Sequence, residues 1–438
     1  MNFKTYILLT LILVSITASA QRILTPEEAF TLTLEHNYGI KIINNDVKVA
    51  ENNAAILNSG YLPTLSGAAG ANFNLDNTEA QFSNGETTTL NGAESSRYDA
   101  SVTLNYLLFD GLGRQYNYQT LKETYNLTQL EARETIENVV LQLFAVYYSL
   151  ANISENKASL EQTINISKDR LLRSEYQFEY GQNTKLDVLN AEVDINNDSI
   201  NLINTKQNLI NTKRDLNVIL GNKMESDFEV KTDFDFLLQL NKTDLLEKTK
   251  ANNISLLQAN KNIQLSEIGI KARKSQYLPS LGLNGSYGWN KNNNNAASFV
   301  SESTNTGLSG GLNLSWNLFD GGATITQVKN SKLTLENQEL QKEQLLLDID
   351  RNFNNAWDNY QNKLSIYHVQ EGNIRTAQNN FERTEEKFKL GQTTSIEFRQ
   401  AQLNLRNAEL SRNQAKFDAK LAELDVLQIS GELLNIAL

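Results

Sequence analysis

The sequence predicts a mainly α-helical protein with a membrane β-barrel portion, in which each chain is a tandem repeat that contributes four strands. Three observations support this fold class. Landmark motifs recur at a fixed spacing, two stretches of about 68 residues lack Pro and almost lack Gly, and short segments alternate apolar with polar residues. Helical and strand periodicities therefore occur in one chain, in an order that repeats.

The first twenty residues predict a secretory signal peptide. Lys4 supplies the positive start, an apolar run extends from Ile7 to Ile16, and Ala18-Ser19-Ala20 has the small residues of a cleavage site. A buried N-terminal helix is the alternative. No later stretch has the length and apolarity that a membrane-spanning helix is expected to need. The leader indicates export across the inner membrane.

The composition argues against several classes of function. The chain has 438 residues, 51 Asp and Glu against 40 Lys and Arg, and a formal net charge of −11. It has no Cys, which excludes disulfides and thiolate metal sites, and its two His, His36 and His368, lie in no metal-binding pattern. The acidic balance disfavours nucleic acid, whose phosphates require Lys and Arg. We therefore predict no enzyme activity, no cofactor, and no catalytic, cofactor-binding or metal-binding residues.

The chain repeats itself at a spacing of 210 residues. Leu108-Phe109-Asp110-Gly111 recurs as Leu318-Phe319-Asp320-Gly321, and Phe178-x-x-Gly181-Gln182-x-Thr184 recurs as Phe388-x-x-Gly391-Gln392-x-Thr394. Tyr61-Leu62-Pro63 returns as Tyr277-Leu278-Pro279 at a spacing of 216. These recurrences indicate a duplication. The predicted organisation is a signal peptide at 1–20, a first repeat at 21–221, an inter-repeat segment at 222–243 and a second repeat at 244–438.

Alternating segments predict two strands in each repeat. They lie at about 64–75 and 98–109 in the first repeat and at about 280–289 and 308–319 in the second. About ten residues suffice to cross a bilayer at a tilt, and one face of the strands is apolar with aromatic residues. The polar segments 76–97 and 290–307 are predicted to be exposed loops. A soluble sandwich with one buried face is the alternative.

Two very long helices are predicted after the strands, at 114–180 and 323–390, each about 100 Å long. A tight turn leads from each into a returning helix, at 184–220 and 394–430. The returning helices carry apolar residues at a spacing of seven, on two faces in the first repeat, which predicts helical neighbours on both sides. These positions are Leu186, Val193 and Ile200, then Val188, Ile195, Leu202, Leu209 and Leu216, and in the second repeat Ile396, Leu403, Leu410, Phe417 and Leu424.

Four strands cannot close a membrane barrel. Unpaired backbone groups at the two sheet edges would cost several kcal/mol each in lipid, and a small barrel needs about eight strands or more. We therefore predict that chains share strands. A homotrimer with four strands from each chain would form a 12-stranded barrel, whereas a dimer would form an eight-stranded barrel with little lumen.

The signal peptide, the two-fold repeat, the Tyr-Leu-Pro and Phe-Asp-Gly motifs and the Gly-x-x-Thr-x-x-Asp/Glu turns resemble those of the TolC-like outer membrane factor family. The resemblance covers essentially the whole mature chain. It implies a trimeric channel-tunnel in the outer membrane of a Gram-negative bacterium, with a 12-stranded barrel, a helical tunnel across the periplasm and an equatorial belt built partly by segment 222–243. The partners it implies are outer-membrane lipid, a periplasmic adaptor (membrane fusion) protein and an inner-membrane transporter of RND or ABC type.

The same resemblance assigns a role to the two helix-turn-helix tips. Physically, a Gly with positive φ lets the chain reverse, and a Thr caps the returning helix. The family implies that these tips form the periplasmic end, which contacts the adaptor. The implied contact residues are Gly181, Gln182 and Thr184 in the first repeat and Gly391, Gln392 and Thr394 in the second.

Asp187 and Glu397 are candidates for residues that line the aperture, since some family members carry acids there. Both acids also lie three residues after a Thr, as in a capping box, so a structural role is the alternative. The chain departs from the family pattern at two nearby positions. Gln400 is uncharged where a second acid can lie, and Thr393 stands where an Arg can occur.

The functional prediction is the outer-membrane channel-tunnel of a tripartite efflux or type I secretion system, which passively conducts substrates to the exterior. Drugs, metal cations and proteins all fit this prediction. The alternative is a periplasmic coiled-coil spacer without a pore, which explains the helices but leaves the four amphipathic strands without a purpose. An outer-membrane barrel enzyme would need a catalytic cluster, and none is evident in the sequence.

Overall fold

The computed structural model of the chain describes residues 22–221, 228–237 and 240–435. The predicted signal peptide and part of the predicted inter-repeat segment lie outside these residues. The chain divides into two compact units. The first comprises the described residues within 1–45, 130–257 and 343–438, and the second comprises 46–129 and 258–342.

The described residues contain eight α-helices. Two of them, α3 and α7, have 67 residues each, which corresponds to about 100 Å of helix. The four helices of 35 residues or more begin and end within one residue of the predicted bounds. The helices are α1 (Pro26–His36), α2 (Tyr38–Asn53), α3 (Gly113–Glu179), α4 (Lys185–Leu220), α5 (Lys242–Asn252), α6 (Ile254–Lys274), α7 (Ala323–Lys389) and α8 (Ser395–Ile429).

Helix α3 corrects one expectation. By length and composition alone, one of its 18-residue windows could cross a membrane, although no such segment was predicted after the leader. That window is 44% buried. Leu143, Phe144 and Tyr147 of α3 belong to the hydrophobic core of the first unit, which explains why the helix is apolar. A core helix passes the same test, so we assign it to packing.

The second unit contains a four-stranded antiparallel sheet in the order β2-β3-β5-β6. The outer strands β2 and β6 each leave one edge unpaired within the described chain. In the first unit, two short strands pair in parallel. The strands are β1 (Arg22–Leu24), β2 (Thr64–Gln81), β3 (Thr87–Asp110), β4 (Phe228–Val230), β5 (Ser280–Asn293) and β6 (Glu302–Ser315).

The first hairpin is longer than the predicted strands at 64–75 and 98–109. Most of the predicted loop 76–97 is paired strand, because its polar Thr and Glu residues continue the backbone ladder as far as Gln81 and Thr87. A register shift lies beside Asp76, where the Asn77 side chain accepts a hydrogen bond from the Gly92 N–H at 2.9 Å. The chain then turns between Phe82 and Glu86. Alternation of apolar residues marks only the part of a strand that has an apolar face.

The last strand also differs from the predicted range 308–319. β6 begins at Glu302 and ends at Ser315, so Trp316 and Leu318 lie beyond it. The Trp316 indole N–H donates to the Tyr277 carbonyl at 3.1 Å. The pairing of β6 with β5 ends just before it, at Ser315. Part of the predicted loop 290–307 is strand instead, since its Asn and Thr residues pair across β5 and β6.

The Phe-Asp-Gly motifs form the junctions from strand to long helix. The Asp110 carboxylate accepts a hydrogen bond from the Arg114 N–H at 2.7 Å, and the Asp320 carboxylate accepts one from the Thr324 N–H at 2.8 Å. Each Asp therefore satisfies a free N–H group in the first turn of its helix. Gly111 follows with a φ of 66°, in the left-handed region.

In each repeat, an Asn side chain between two short helices binds the end of the returning helix. The Asn37 side chain, between α1 and α2, donates to the Ile219 carbonyl at 2.7 Å near the end of α4. The Asn253 side chain, between α5 and α6, donates to the Ile429 carbonyl at 3.0 Å at the end of α8. Both Asn side chains also accept from the helix that follows them. One residue type thus satisfies two helix ends in each half of the chain.

The described part of the inter-repeat segment is held against α8 by two buried lysines. Lys416 donates to the Thr232 carbonyl at 2.8 Å, and Lys420 donates to the Asp235 carbonyl at 3.0 Å. Both ammonium groups also lie within 6 Å of the Phe234 ring. Because the bonds go to backbone carbonyls and an aromatic face, this segment is anchored by its main chain and by Phe234.

Candidate functional site

Each long helix reverses into the returning helix through the same hydrogen-bonded turn. In the first tip, Gly181 N–H donates to the Phe178 carbonyl at 3.0 Å, and Gln182 N–H donates to the Gln177 carbonyl at 2.7 Å. In the second tip, Gly391 and Gln392 make the equivalent bonds at 3.1 and 2.8 Å. Gly181 and Gly391 have φ of 72° and 73°. A residue in this left-handed backbone conformation commonly ends an α-helix, and the conformation favours Gly.

The two predicted acids cap the returning helices. The Glu397 carboxylate accepts from the Thr394 N–H at 2.9 Å, and the Glu397 N–H donates back to the Thr394 hydroxyl at 3.2 Å. The Asp187 carboxylate accepts from the Thr184 N–H at 3.2 Å. The Asp187 N–H also donates to the Thr184 carbonyl at 3.1 Å. Both returning helices thus begin with a capping box.

Hydrogen bonding also affects how Glu397 ionises. Its carboxylate accepts from the Thr393 hydroxyl and from the Thr394 backbone and hydroxyl, and these bonds hold its pKa below the ordinary value. Thr393 is uncharged and occupies a position where a family member can carry an Arg. Its hydroxyl donates directly to the carboxylate of the candidate acid, Glu397. Glu397 remains exposed, so the cap leaves its charge facing solvent.

The tips also expose apolar side chains. Around the first turn, Tyr180 is 77% exposed and Leu186 is 64% exposed. Around the second turn, Leu390 is 71% exposed and Ile396 is 70% exposed. These apolar side chains are therefore available for contact with another protein.

A buried polar network lies next to the tips and was not predicted from the sequence. Asp198 of α4 is fully buried and accepts hydrogen bonds from Arg399 of α8 at 2.7 and 2.9 Å, which is a bidentate pair. It also accepts from the Ser167 hydroxyl of α3 at 2.7 Å and from Arg406 at 3.3 Å. We call this group the tip network. Its members are Ser167, Arg170, Asp194, Asp198, Arg399, Gln402 and Arg406.

The charges of the tip network depend on one another. Burial alone would raise the pKa of Asp198, but the hydrogen bonds from Arg399 and Ser167 outweigh it and leave the pKa below its ordinary value. Arg170 pairs with Asp194, so three guanidinium groups face two carboxylates. Buried ion pairs of this kind cost much free energy when one partner is lost. The network therefore ties α3, α4 and α8 together near the tips.

One sequence signal could have located this network. When the repeats are compared at their spacing of 210, Asp198 corresponds to Ala408, and Arg399 corresponds to Leu189. Acids on one returning helix and bases on the other break the symmetry of the duplication. Such differences mark contacts that the two repeats make with each other.

Among residues 22–221, 228–237 and 240–435, no group of three or more His, Asp or Glu could hold a metal ion. The six predicted adaptor-contact residues lie at the two turns, three at each. Asp187 and Glu397 lie in the first turns of α4 and α8, and their role at an aperture stays a prediction.

Paired strands of membrane length, helices of 67 residues and tight reversals at their ends define a TolC-like channel-tunnel fold. Residues 31–222 and 245–432 match the model of the outer membrane efflux protein family, one match for each repeat. The chain belongs to this family, which confirms the resemblance seen in the sequence. It is accordingly an outer-membrane channel protein of a Gram-negative bacterium.

Individual relatives are similar to this chain at low identity. The outer membrane efflux protein BepC of Brucella suis is 19% identical over 387 residues, covering 88% of this chain and 81% of BepC. Escherichia coli TolC is 22% identical over 362 residues, covering 78% of this chain and 71% of TolC. The crystal structure of the Campylobacter jejuni CmeC outer membrane channel superposes with a TM-score of 0.74 at 16% identity, covering 93% of this chain and 86% of CmeC.

Proposed function

We propose that the chain is the outer-membrane conduit of a tripartite efflux or type I secretion system, and that it conducts its cargo passively. The observation that carries this proposal is the four-stranded sheet with two unpaired edges, β2 and β6. In lipid, such edges are stable only when further strands cover them. A homotrimer supplies these strands and closes a 12-stranded barrel in outer-membrane lipid.

The energy for export comes from a partner in this proposal. The chain provides the passage, a periplasmic adaptor docks on it, and an inner-membrane transporter of RND or ABC type drives the cargo. Nucleic acid is not a partner, and the chain itself is not an enzyme. We further propose that residues 1–20 are a leader removed on export, and that 21–221 and 244–438 are the two functional repeats.

The adaptor contact is proposed at the tips. The exposed side chains beside the two turns support this placement, and Asp187 and Glu397 are proposed to line the aperture from their capping positions. Tip opening would separate helices that the tip network joins, so we propose that this network holds the closed state. The proposed contact residues are Gly181, Gln182, Thr184, Gly391, Gln392 and Thr394.

The first test is the mass of the particle extracted from outer membranes in detergent, corrected for bound detergent. We expect three times the mass of the mature chain, because strand sharing requires three copies. A particle that leaves the membrane with carbonate and has the mass of one chain would contradict the channel and favour the coiled-coil spacer.

The second test locks the tips. The chain has no Cys, so Gln182→Cys with Gln392→Cys introduces thiols at the two turns without background. We expect oxidation of this variant to block export and a reductant to restore it, because the tips must separate to pass cargo. Each single variant is the control, because it cannot join the two turns, and oxidation should leave its own level of export unchanged. Normal export by fully cross-linked protein would count against opening at the tips.

A further inference from the structure

Three helices are basic where they meet the four-stranded sheet. In the ten helical residues nearest the sheet, α3, α6 and α7 together carry seven Lys and Arg and one acid, Glu267, although the whole chain has a net charge of −11. We call these seven residues the basic patch. They are Arg114 and Lys122 of α3, Lys271, Arg273 and Lys274 of α6, and Lys329 and Lys332 of α7. The fourth helix at this end, α2, is not basic, since Asp46 and Glu51 outnumber Lys48.

Side-chain contacts bring these three helices together. Arg273 of α6 donates to the Gln327 side chain of α7 at 3.3 Å. Lys261 of α6 donates to the Glu123 carboxylate of α3 at 2.8 Å. Helix α6 therefore contacts both α3 and α7, and the basic patch is one region of the surface.

Most of the basic patch is available to a ligand. Lys271, Lys274, Lys329 and Lys332 are exposed, and none of them forms an ion pair within the part of the chain that the structure describes. The helix dipole favours cations in the last turn of α6, which explains only the first two. Lys329 and Lys332 lie in the first three turns of α7, where the dipole does not stabilise a cation. Helix stability thus leaves half of these lysines without a structural reason.

Aromatic side chains mark the level at which the apolar face of the sheet ends. Tyr277 lies just before β5, Trp316 lies just after β6, and both are exposed. The hydrogen bond from the Trp316 indole to the Tyr277 carbonyl joins them. Tyr and Trp concentrate where a membrane meets water. Since Lys274 lies three residues before Tyr277, the basic patch begins directly beyond this interface, at the depth of lipid headgroups.

The other end of the sheet has the opposite charge. The hairpin segment 76–95 carries four acids and no Lys or Arg. The two cations beside it have acidic partners, because Arg97 lies 3.7 Å from Asp99 and Lys291 lies 3.1 Å from Glu302. Of the two ends of the sheet, the end that joins the helices is therefore the one with excess positive charge.

We propose that the basic patch binds the headgroups of anionic phospholipids in the periplasmic leaflet of the outer membrane. This inference rests on the proposed channel, which places the sheet across the membrane with its helices on the periplasmic side, and it specifies the class of lipid that the channel selects. Lys and Arg donate charge-assisted hydrogen bonds to phosphate oxygens. Each Lys or Arg close to an anionic membrane surface strengthens binding about fivefold.

The charge of the headgroup decides the selectivity. A zwitterionic phospholipid also has a phosphate, but its ammonium group cancels the charge and is repelled by the patch. An anionic phospholipid is attracted without this opposition. Lipids held in this way fix the height of the sheet in the bilayer, since the patch and the aromatic level lie next to each other along the chain.

The test is a competition between two lipids that differ in headgroup charge and share the same acyl chains. The full chain is reconstituted into nanodiscs of equimolar phosphatidylglycerol and phosphatidylcholine, released into mild detergent and weighed by native mass spectrometry. We expect bound phosphatidylglycerol to exceed bound phosphatidylcholine about tenfold. Salt added before release should reduce this excess, because it screens exposed charges.

Substitution of the four exposed lysines locates the lipid. In the combined variant Lys271→Gln, Lys274→Gln, Lys329→Gln, Lys332→Gln, we expect the excess to fall below about twofold. Lys271→Gln with Lys274→Gln alone should lower it partly. The matched control for this pair is Lys387→Gln with Lys389→Gln, which removes two exposed lysines from the last turn of α7, at the far end of that 67-residue helix from the sheet. This control should keep the full excess.

Equal binding of the two lipids by the parent chain would overturn the proposal. An excess that persists in the combined variant, or that disappears in the control, would overturn it as well. The same spectra give the mass of the particle. Three chains without a lipid preference would overturn the role of the basic patch and leave the channel standing, whereas a single chain would overturn both.

Discussion

Asp198→Ala is expected to destabilise the first unit by about 3–5 kcal/mol, the usual cost of removing one partner from a buried ion pair. The substitution leaves Arg399 and Arg406 without the carboxylate that accepts their hydrogen bonds at 2.7 to 3.3 Å. It also removes the acceptor of the Ser167 hydroxyl. Denaturant unfolding in detergent measures the loss, and hydrogen exchange locates it in α4 and the first turns of α8.

Asp215→Ala is the matched control, because Asp215 is an exposed acid on the same helix. We expect a change within about 0.5 kcal/mol for this variant. If the tip network holds the closed state, Asp198→Ala should also increase the conductance of the reconstituted channel, whereas Asp215→Ala should not. Unchanged unfolding and exchange in Asp198→Ala would contradict the description of the network as a stabilising element.

The same carboxylate predicts a pH dependence. The pKa of Asp198 is below its ordinary value, because the hydrogen bonds from Arg399 and Ser167 stabilise its ionised form in the folded state. The stability that it contributes is complete above the ordinary pKa of about 4 and is lost as pH falls through the lower, folded-state pKa. Asp198→Asn removes this titration, and its unfolding free energy should therefore fall less steeply with acidification than that of the parent protein.

Gly111→Ala is expected to disrupt the junction between β3 and α3. A Cβ added at Gly111 would lie 2.3 Å from the Ser275 carbonyl oxygen and 2.8 Å from the Leu278 Cβ. Neither neighbour can rotate away, because one is backbone and the other is attached to it. Overpacking costs about 1–3 kcal/mol, and a left-handed φ adds about 1–2 kcal/mol for a residue with a Cβ. The yield of folded protein in the outer membrane and its unfolding in detergent measure the effect.

The duplication provides the control for this variant. Gly321 occupies the equivalent position with a φ of 70°, but a Cβ there would meet no atom of the described residues within 4 Å. Gly321→Ala should therefore cost only the conformational term of about 1–2 kcal/mol. Equal losses for the two variants would show that contact with Ser275 contributes nothing.

Much of the fold follows from local sequence. Helix periodicity without Pro predicts α3 and α7, and Gly followed by a Thr three residues later predicts both turns, because these signals act within a few residues. Strand bounds were predicted less well. Polar residues in 76–97 pair across β2 and β3, and a polar strand lacks the alternation by which strands are recognised.

The candidate site likewise has one part that the sequence predicted and one part that it did not. The caps at Thr184 and Thr394 are local and were visible in the residues themselves, whereas the tip network joins Asp198 to Arg399 across 201 positions of sequence. A single Asp on a helix gives no indication that it is fully buried. Within the sequence, only the comparison of the two repeats indicates such a contact.

The sequence by itself determined the duplication, the long helices, the turns and the family, because periodicity, Gly, Pro and capping residues act over short distances. The tertiary structure decided which charges are buried, which Gly touches a neighbouring backbone and which apolar faces stay uncovered. Asp198 and Asp215 lie on one helix, and Gly111 and Gly321 occupy one motif, yet their surroundings differ. Packing between distant segments creates these differences, and desolvation and steric contact then set their free energies.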